Sequence, residues 1–230
     1  MESLAAFLYH LDPIDTADLV DLEDAFNAKS YEEGETYGFR SIFNDGSRLY
    51  ATLVRRTATM VPRFDLETLS LVDEEIFVYS EIDFSVDAVH GLLEVFGPMR
   101  NAPKVSAALR PELDPEARLS RVHLVPSEVL GRLKDGGLKC AVQRLTVSQF
   151  RHAEGVVGRF DAMSVTEAFV ERVVGQYDEE IGRLRMDVTL PDGRVVVLSI
   201  SMSGQLRIIG LEQDVEPAYS EIKAALFGQA

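Results

Sequence analysis

Short glycine-containing turns between strand-like segments are the feature that most restricts the fold of this chain. Asn44-Asp45-Gly46-Ser47 separates two such segments in the first half, and Pro191-Asp192-Gly193 and Ser203-Gly204 separate three in the second half. Turns of this composition join antiparallel strands, whereas parallel strands need a long crossover. The segments of the second half also alternate between apolar and polar residues, which is typical of strands with one buried face. The sequence therefore predicts antiparallel hairpins in both halves.

Apolar residues at helical spacing place helices beside these hairpins. In 15–28, Leu19, Leu22 and Phe26 fall on one stripe, and Ser164-Val165-Thr166-Glu167 has the pattern of a capping box that opens a helix over 164–177. Further helices are predicted over 85–97, 114–121 and 127–134, and from residue 217 onward. The predicted fold class is α+β, with antiparallel, hairpin-rich sheets and packed helices.

Prolines divide the chain into two parts. Five of the nine prolines lie in 98–126, so this stretch is predicted to be a linker or crossing between an N-terminal α+β lobe, 1–97, and a C-terminal α+β lobe, 127–230. The order helix–strand–strand–strand–helix recurs in both lobes. It indicates either a duplicated unit or two independent segments with a similar order of elements.

Charge and cysteine content indicate the setting. The formal net charge is −15, and Cys140 is the only cysteine, which excludes an intramolecular disulfide and favours a reducing compartment. A signal peptide has basic residues before its apolar segment, but the apolar run 4–11 has none before it. No segment has the 18 or more apolar residues of a membrane span. We expect a cytoplasmic protein with no membrane contact. Lysine supplies only five of the 23 basic residues, which is typical of a GC-rich prokaryotic genome.

One pattern points towards an enzyme. Pro191-Asp192 followed by Glu221-Ile222-Lys223 has the spelling of a metal-dependent nuclease site, in which two carboxylates hold a divalent ion. However, Asp192 lies in a predicted turn, and Glu221 and Lys223 lie two apart in a predicted helix, where they face different directions. No catalytic, cofactor-binding or metal-binding residue is therefore predicted, and a nuclease-like enzyme built from scattered carboxylates stays an alternative.

Two charged series are candidate partner-binding sites. Asp15, Asp18, Asp21 and Asp24 recur along the first helix and form either a solvated surface or a docking surface for a basic partner. Arginines recur along the two sets of hairpins, where they either contact nucleic-acid phosphates or are the ordinary polar residues of exposed strands. They are Arg48, Arg55, Arg56 and Arg63 in the first half, and Arg183, Arg185, Arg194 and Arg207 in the second.

The function that these features favour is that of a non-catalytic binding or assembly subunit of an intracellular, prokaryotic complex. Its partner would be another protein or a second copy of itself, and no cofactor is predicted. The alternatives are a nucleic-acid-associated protein that uses an arginine-bearing sheet face, which an acidic chain makes less favoured, and the nuclease-like enzyme.

Overall fold

The computed structural model of the chain describes residues 1–67, 69–153, 156–163 and 166–228. Within these ranges it contains five α-helices and eleven strands. The helices are α1 Thr16–Ala28, α2 Ala102–Leu109, α3 Pro126–Asp135, α4 Glu167–Tyr177 and α5 Glu212–Phe227. The strands are β1 Glu2–Asp12, β2 Tyr37–Asn44, β3 Arg48–Asp65, β4 Ser70–Asp87, β5 Leu92–Phe96, β6 Arg118–Arg121, β7 Lys139–Ala153, β8 Val156–Met163, β9 Ile181–Thr189, β10 Val195–Ser201 and β11 Gln205–Gly210.

All eleven strands join in one antiparallel sheet, with the order β2-β3-β4-β5-β1-β11-β10-β9-β7-β8 and with β6 also paired to β1. The predicted α+β class is confirmed, but the strands of both halves form one continuous sheet and not one sheet per lobe. Strand β1 connects the halves, because its residues 6–10 pair with β5 and its residues 2–7 pair with β11.

Two hydrophobic cores lie on opposite faces of this sheet. Along β1, Ala6 and Leu8 belong to one core, while Phe7, Tyr9 and Leu11 belong to the other. The first half packs under α1 and α2 on what we call the α1 face, and the second half packs under α3, α4 and α5 on the α5 face. Strands at the centre of the sheet are therefore buried on both faces, which explains the continuous apolar run of β1.

The stripe predicted for the first helix is the one that anchors it. Leu19, Leu22 and Phe26 are buried, and the ring of Phe26 stacks on Phe39 with centroids 4.2 Å apart and meets Phe84 edge-on. Burying a side chain of this size contributes about 1.5–3 kcal/mol, so this face holds α1 on β2 and β3.

Three predicted segments differ from the structure. The helix expected over 85–97 is the end of β4 followed by β5, whose residues are buried on both faces and so show no alternation that would mark a strand. The helix expected over 114–121 is partly replaced by β6, which pairs with β1. The proline-containing stretch 98–126 carries α2, with Val105 and Leu109 buried in the core on the α1 face. The division into lobes 1–97 and 127–230 stays a prediction.

The repeated order of elements does not extend to packing. A helix followed by a three-strand meander occurs twice, as α1–β2–β3–β4 and as α4–β9–β10–β11. The two meanders lie on either side of the central strands, yet α1 packs on the α1 face and α4 packs on the α5 face. The halves share an order of elements without sharing an arrangement.

Candidate interaction surfaces

A free two-stranded ribbon, residues 57–80, extends beyond the body of the sheet, and we call it the arm. Strand β2 pairs with β3 only at residues 49–55, and β5 pairs with β4 only at residues 84–87. Beyond these positions β3 and β4 pair only with each other among the described strands, up to Asp65 and Ser70. Both outer edges of the arm are therefore open.

The arm exposes apolar side chains on both of its faces. One face carries Met60, Phe64, Leu71, Phe77 and Tyr79, and the other carries Val61, Val72, Ile76 and Val78. The least exposed of them is Val61, at 37%, and Leu71 is 70% exposed. With Leu66 and Leu69 near the turn, they present on the order of 1,000 Å² to water over both faces together, and a single apolar patch on a typical monomer is at most roughly 300–600 Å².

Contacts at the root of the arm fix its direction. The guanidinium of Arg56 lies over the ring of Phe77, 3.4 Å from the centroid, and its Nη1 donates a hydrogen bond of 2.8 Å to the carbonyl oxygen of Gly34. Tyr31 meets Tyr79 edge-on, with centroids 6.5 Å apart. The loop after α1 thus supports the arm from one side.

A second surface lies on the α1 face of the second half, and we call it the arginine face. Five arginines project from neighbouring strands there: Arg144, Arg159, Arg183, Arg185 and Arg207. Together with the hydroxyls of Thr146, Ser199 and Ser201 they line a concave pocket of about 300 Å³. The strict alternation of β9 produces this arrangement, because Leu184 and Met186 are buried in the core on the opposite face.

Positive charge on the arginine face exceeds negative charge. Asp161 accepts contacts from both Arg144, at 3.2 Å, and Arg159, at 3.0 Å. A hydrogen bond from Thr146, followed by the hydrogen bond and charge of Arg159 and the hydrogen bond from Arg144, lowers the pKa of Asp161. Among the described residues, no carboxylate lies within 4.0 Å of Arg183 or Arg185.

A group of charged side chains is buried inside the protein, and we call it the buried ion cluster. The ammonium of Lys223, on α5, lies 2.7 Å from Oδ2 of Asp87 and 2.9 Å from Oε1 of Glu94, and all three side chains are almost completely buried. Tyr219 and Ser85 each donate a hydrogen bond of 2.7 Å to Glu94. These contacts join α5 to β4 and β5.

The buried ion cluster is also electrically balanced. Nε of Arg48 and Nδ1 of His90 each lie 2.9 Å from Oδ2 of Asp87. Burial raises the pKa of Asp87, but the hydrogen bonds from Lys223 and His90 and the charges of Lys223 and Arg48 outweigh this effect and lower the pKa to about 2. Two carboxylates thus face two permanent cations, an arrangement that stabilises the fold and leaves no charge for a ligand.

The acidic residues of the first helix have two roles in the structure. Asp15 is the N-cap of α1 and forms a capping box with Asp18, in which each side chain accepts from the other's backbone N–H. Asp21 and Asp24 are exposed to solvent. The series as a docking surface for a basic partner stays a prediction.

The arginines predicted in the first half do not form one patch. Arg48 belongs to the buried ion cluster, Arg56 braces the arm, and Arg63 pairs with Glu74 at 3.2 Å. Arg55 and Arg63 lie on one face of β3, and Arg48 and Arg56 lie on the other. Their contact with nucleic acid stays a prediction.

In the second half the structure does gather arginines, and it adds two that the sequence analysis did not name. Arg183, Arg185 and Arg207 share the arginine face with Arg144 and Arg159, whereas Arg194 lies away from it, near Asp192, Asp214 and Glu221. Arg144 and Arg159 alternate with buried residues, and this alternation in the sequence could have indicated that both are exposed on one face of the sheet. Grouping them with β9 required the strand order.

The three charged residues of the nuclease-like pattern do not converge on one site. Asp192 and Glu221 both contact Arg194, the latter at 3.3 Å, whereas Lys223 points into the buried ion cluster. Within the described parts of the chain, no group of three or more His, Cys, Asp or Glu side chains is arranged to hold a metal ion. Cys140 is half-buried, and burial raises the pKa of its thiol to about 11, so the thiol stays protonated at neutral pH.

None of the helices in the described ranges has the length and apolar character that crossing a membrane requires. No protein-family model matches the chain, and no curated protein matches it. The arm and the arginine face are therefore the features that bear on its function.

Proposed function

We propose that the protein is a non-catalytic assembly subunit that associates with a second copy of itself through the arm, as part of an intracellular, prokaryotic complex. The exposure of large apolar side chains on both faces of the arm is the observation that carries this proposal. Such a ribbon is costly to leave in water, because apolar surface and open strand edges both favour association.

The size of the arm supports a stable contact. Each partner in a standard protein interface buries roughly 800 Å², and the apolar side chains of the arm alone present on the order of 1,000 Å². This area is divided between the two faces and the turn of the arm, so two arms form an interface of ordinary size only where each encloses both faces of the other or where the body of the protein adds to the contact.

Charge favours the tip of the arm, and not its whole length, as the place where two copies meet. The whole chain has a formal charge of −15, so two copies repel each other over most of their surfaces. At the tip of the arm, 63–72, Arg63 stands against Asp65 and Glu67, which leaves a net charge of −1, whereas the whole arm, 57–80, also carries Asp73, Glu74 and Glu75 and has a net charge of −4. A two-fold axis through this region would bring identical, nearly neutral and apolar surfaces together, as dimers of this symmetry do.

The open strand edges of the arm also favour self-association. Proline is tolerated inside a strand where its missing N–H would face away from the partner strand, so Pro62 marks the outer edge of β3 as a poor edge for pairing. The outer edge of β4 contains no proline between Ser70 and Asp87. We therefore expect the two copies to approach through the apolar faces and the β4 edge.

The molar mass in solution tests this proposal. Phe64 and Leu71 face each other across the arm and are 53% and 70% exposed, so Phe64→Ser with Leu71→Ser should reduce a dimer to the 25.5 kDa monomer without unfolding it. Val20 and Val89 lie off the arm and are 53% and 65% exposed, and Val20→Ser with Val89→Ser is the matched control that should stay dimeric.

Sedimentation equilibrium on the three proteins, each with its far-UV spectrum checked, decides the outcome. A wild-type mass of 25.5 kDa at tens of micromolar would contradict the proposal, and so would an arm variant that remains dimeric.

A further inference from the structure

We infer that the arginine face binds a ligand that carries several phosphate groups. The backbone of a nucleic acid and a free polyphosphate offer the same chemistry. This inference goes beyond self-association and does not depend on it, since the arginine face lies on the second half of the sheet and the arm belongs to the first.

The strand register aligns the donors in a row. Arg144 lies opposite Arg185, Arg185 lies opposite Ser199, and Ser199 lies opposite Arg207. Neighbouring strands are about 4.8 Å apart, so the row extends about 14 Å across the sheet. A guanidinium binds phosphate oxygens through two parallel N–H groups, and a row of such groups fits a chain of phosphates.

Folding alone does not explain this arrangement. Like charges directly opposite each other in an antiparallel pair are destabilising, yet Arg144 faces Arg185. The chain has 38 acidic residues, but Asp161 is the one that contacts arginines of this face among the described residues. A ligand with several negative charges would balance the surplus.

The other lining residues favour phosphate over the bases of a nucleic acid. Ser199, Ser201 and Gln205 stand among the arginines, and such side chains are common donors to phosphate oxygens. The described residues that line the pocket include no aromatic side chain on which a base could stack. We therefore expect binding that does not depend on base sequence.

Two probes with a shared chemistry test the inference: a fluorescent 20-base-pair DNA duplex and inorganic tripolyphosphate, each titrated at about 50 mM salt, where phosphate contacts are strongest. Arg183→Gln with Arg185→Gln should weaken binding at least about tenfold. The exposed residues Arg100 and Arg110 provide the matched control, because Arg100→Gln with Arg110→Gln removes the same charge elsewhere.

The probes distinguish the two sources. Binding of the duplex that weakens steeply with salt supports a nucleic-acid backbone, and binding of tripolyphosphate without the duplex supports a small ligand. The inference is overturned if neither probe binds, if both double variants weaken binding equally, or if a polyglutamate peptide binds as tightly as the duplex.

A variant that should strengthen binding, and not weaken it, adds a second test. Asp161→Asn removes the carboxylate that neutralises Arg144 and Arg159, so the folded variant should bind the same probe roughly two- to five-fold more tightly. Unchanged or weaker binding by this variant, with an unaltered melting curve, contradicts the assignment.

Discussion

The buried ion cluster and the arginine face gather cations in opposite ways. Inside the protein, Lys223 and Arg48 meet Asp87 and Glu94, and each charge has a partner within 3 Å. On the arginine face, five guanidiniums lie near two carboxylates, Asp161, which contacts Arg144 and Arg159, and Asp187. Water stabilises an exposed charge, so an excess can persist on a surface, whereas a buried charge must be neutralised where it lies. The first arrangement supports the fold, and the second is free to bind.

Mutation of the buried ion cluster should have the largest effect on the free energy of unfolding. Lys223→Met leaves Asp87 and Glu94 buried with one cation fewer, and we expect the free energy of unfolding to fall by about 3–5 kcal/mol. Lys134→Met, at an exposed position on α3, should change it by less than about 0.5 kcal/mol. Urea unfolding curves of both variants measure the difference. A loss below about 1 kcal/mol for Lys223→Met would mean that the cluster does not stabilise the fold.

Acid should weaken the same cluster. The pKa of Asp87 falls from 3.8 to about 2 on folding, so the folded state binds fewer protons and gains stability as the pH rises. The contribution of this carboxyl, about 2 kcal/mol, is complete above pH 4 and is lost as the pH falls towards 2. Unfolding free energies of wild type and Asp87→Asn should therefore converge between pH 4 and pH 2. A constant difference across this range would contradict the assignment.

Arg194 offers an intermediate case. It is 30% exposed and is surrounded by Asp192, Asp214 and Glu221, so each single contact should matter less than one inside the buried ion cluster. Asp192→Ala should cost about 1 kcal/mol or less, since it removes a turn contact from a group that keeps two other partners. Thermal melts of the variant measure its loss of stability. A loss comparable to that of Lys223→Met would contradict the expectation that exposed ion pairs matter less than buried ones.

The smallest effect on stability belongs to the arginine face. Arg183→Gln with Arg185→Gln should leave the free energy of unfolding within about 0.5 kcal/mol of wild type, or raise it slightly, because unpaired like charges contribute no attraction to the fold. The same urea titration measures it. A clear destabilisation would show that these side chains hold the sheet together and are not reserved for a ligand.

Sequence reasoning succeeded where one face of a strand meets water. Strands β9 to β11 alternate between core and solvent, so their positions and turns were predictable from polarity alone. Strands β1 and β5 are buried on both faces and lose that alternation, so β1 was described only as an apolar segment and β5 was expected to be helical.

The surfaces were harder to predict than the strands. Ile76, Phe77 and Val78 have the composition of a buried strand, and only the lengths of β2 and β5 show that the arm extends past its neighbours. The alternation of β9 and β11 in the sequence predicts that Arg183, Arg185 and Arg207 are exposed on one face. The position of Arg144 and Arg159 beside them depends on β7 being placed beside β9, which is a long-range pairing that local pattern does not encode.

The position of β1 also determines when the protein can finish folding. Glu2 pairs with Gly210, so the second strand needed to complete the ladder of β1 is synthesised roughly 200 residues later. Contacts of such long sequence separation slow folding, because a loop of roughly 200 residues must close before they form. Until β11 has been synthesised, the apolar run 4–11 lacks that partner strand, and an apolar segment left unpaired in this way is prone to aggregation.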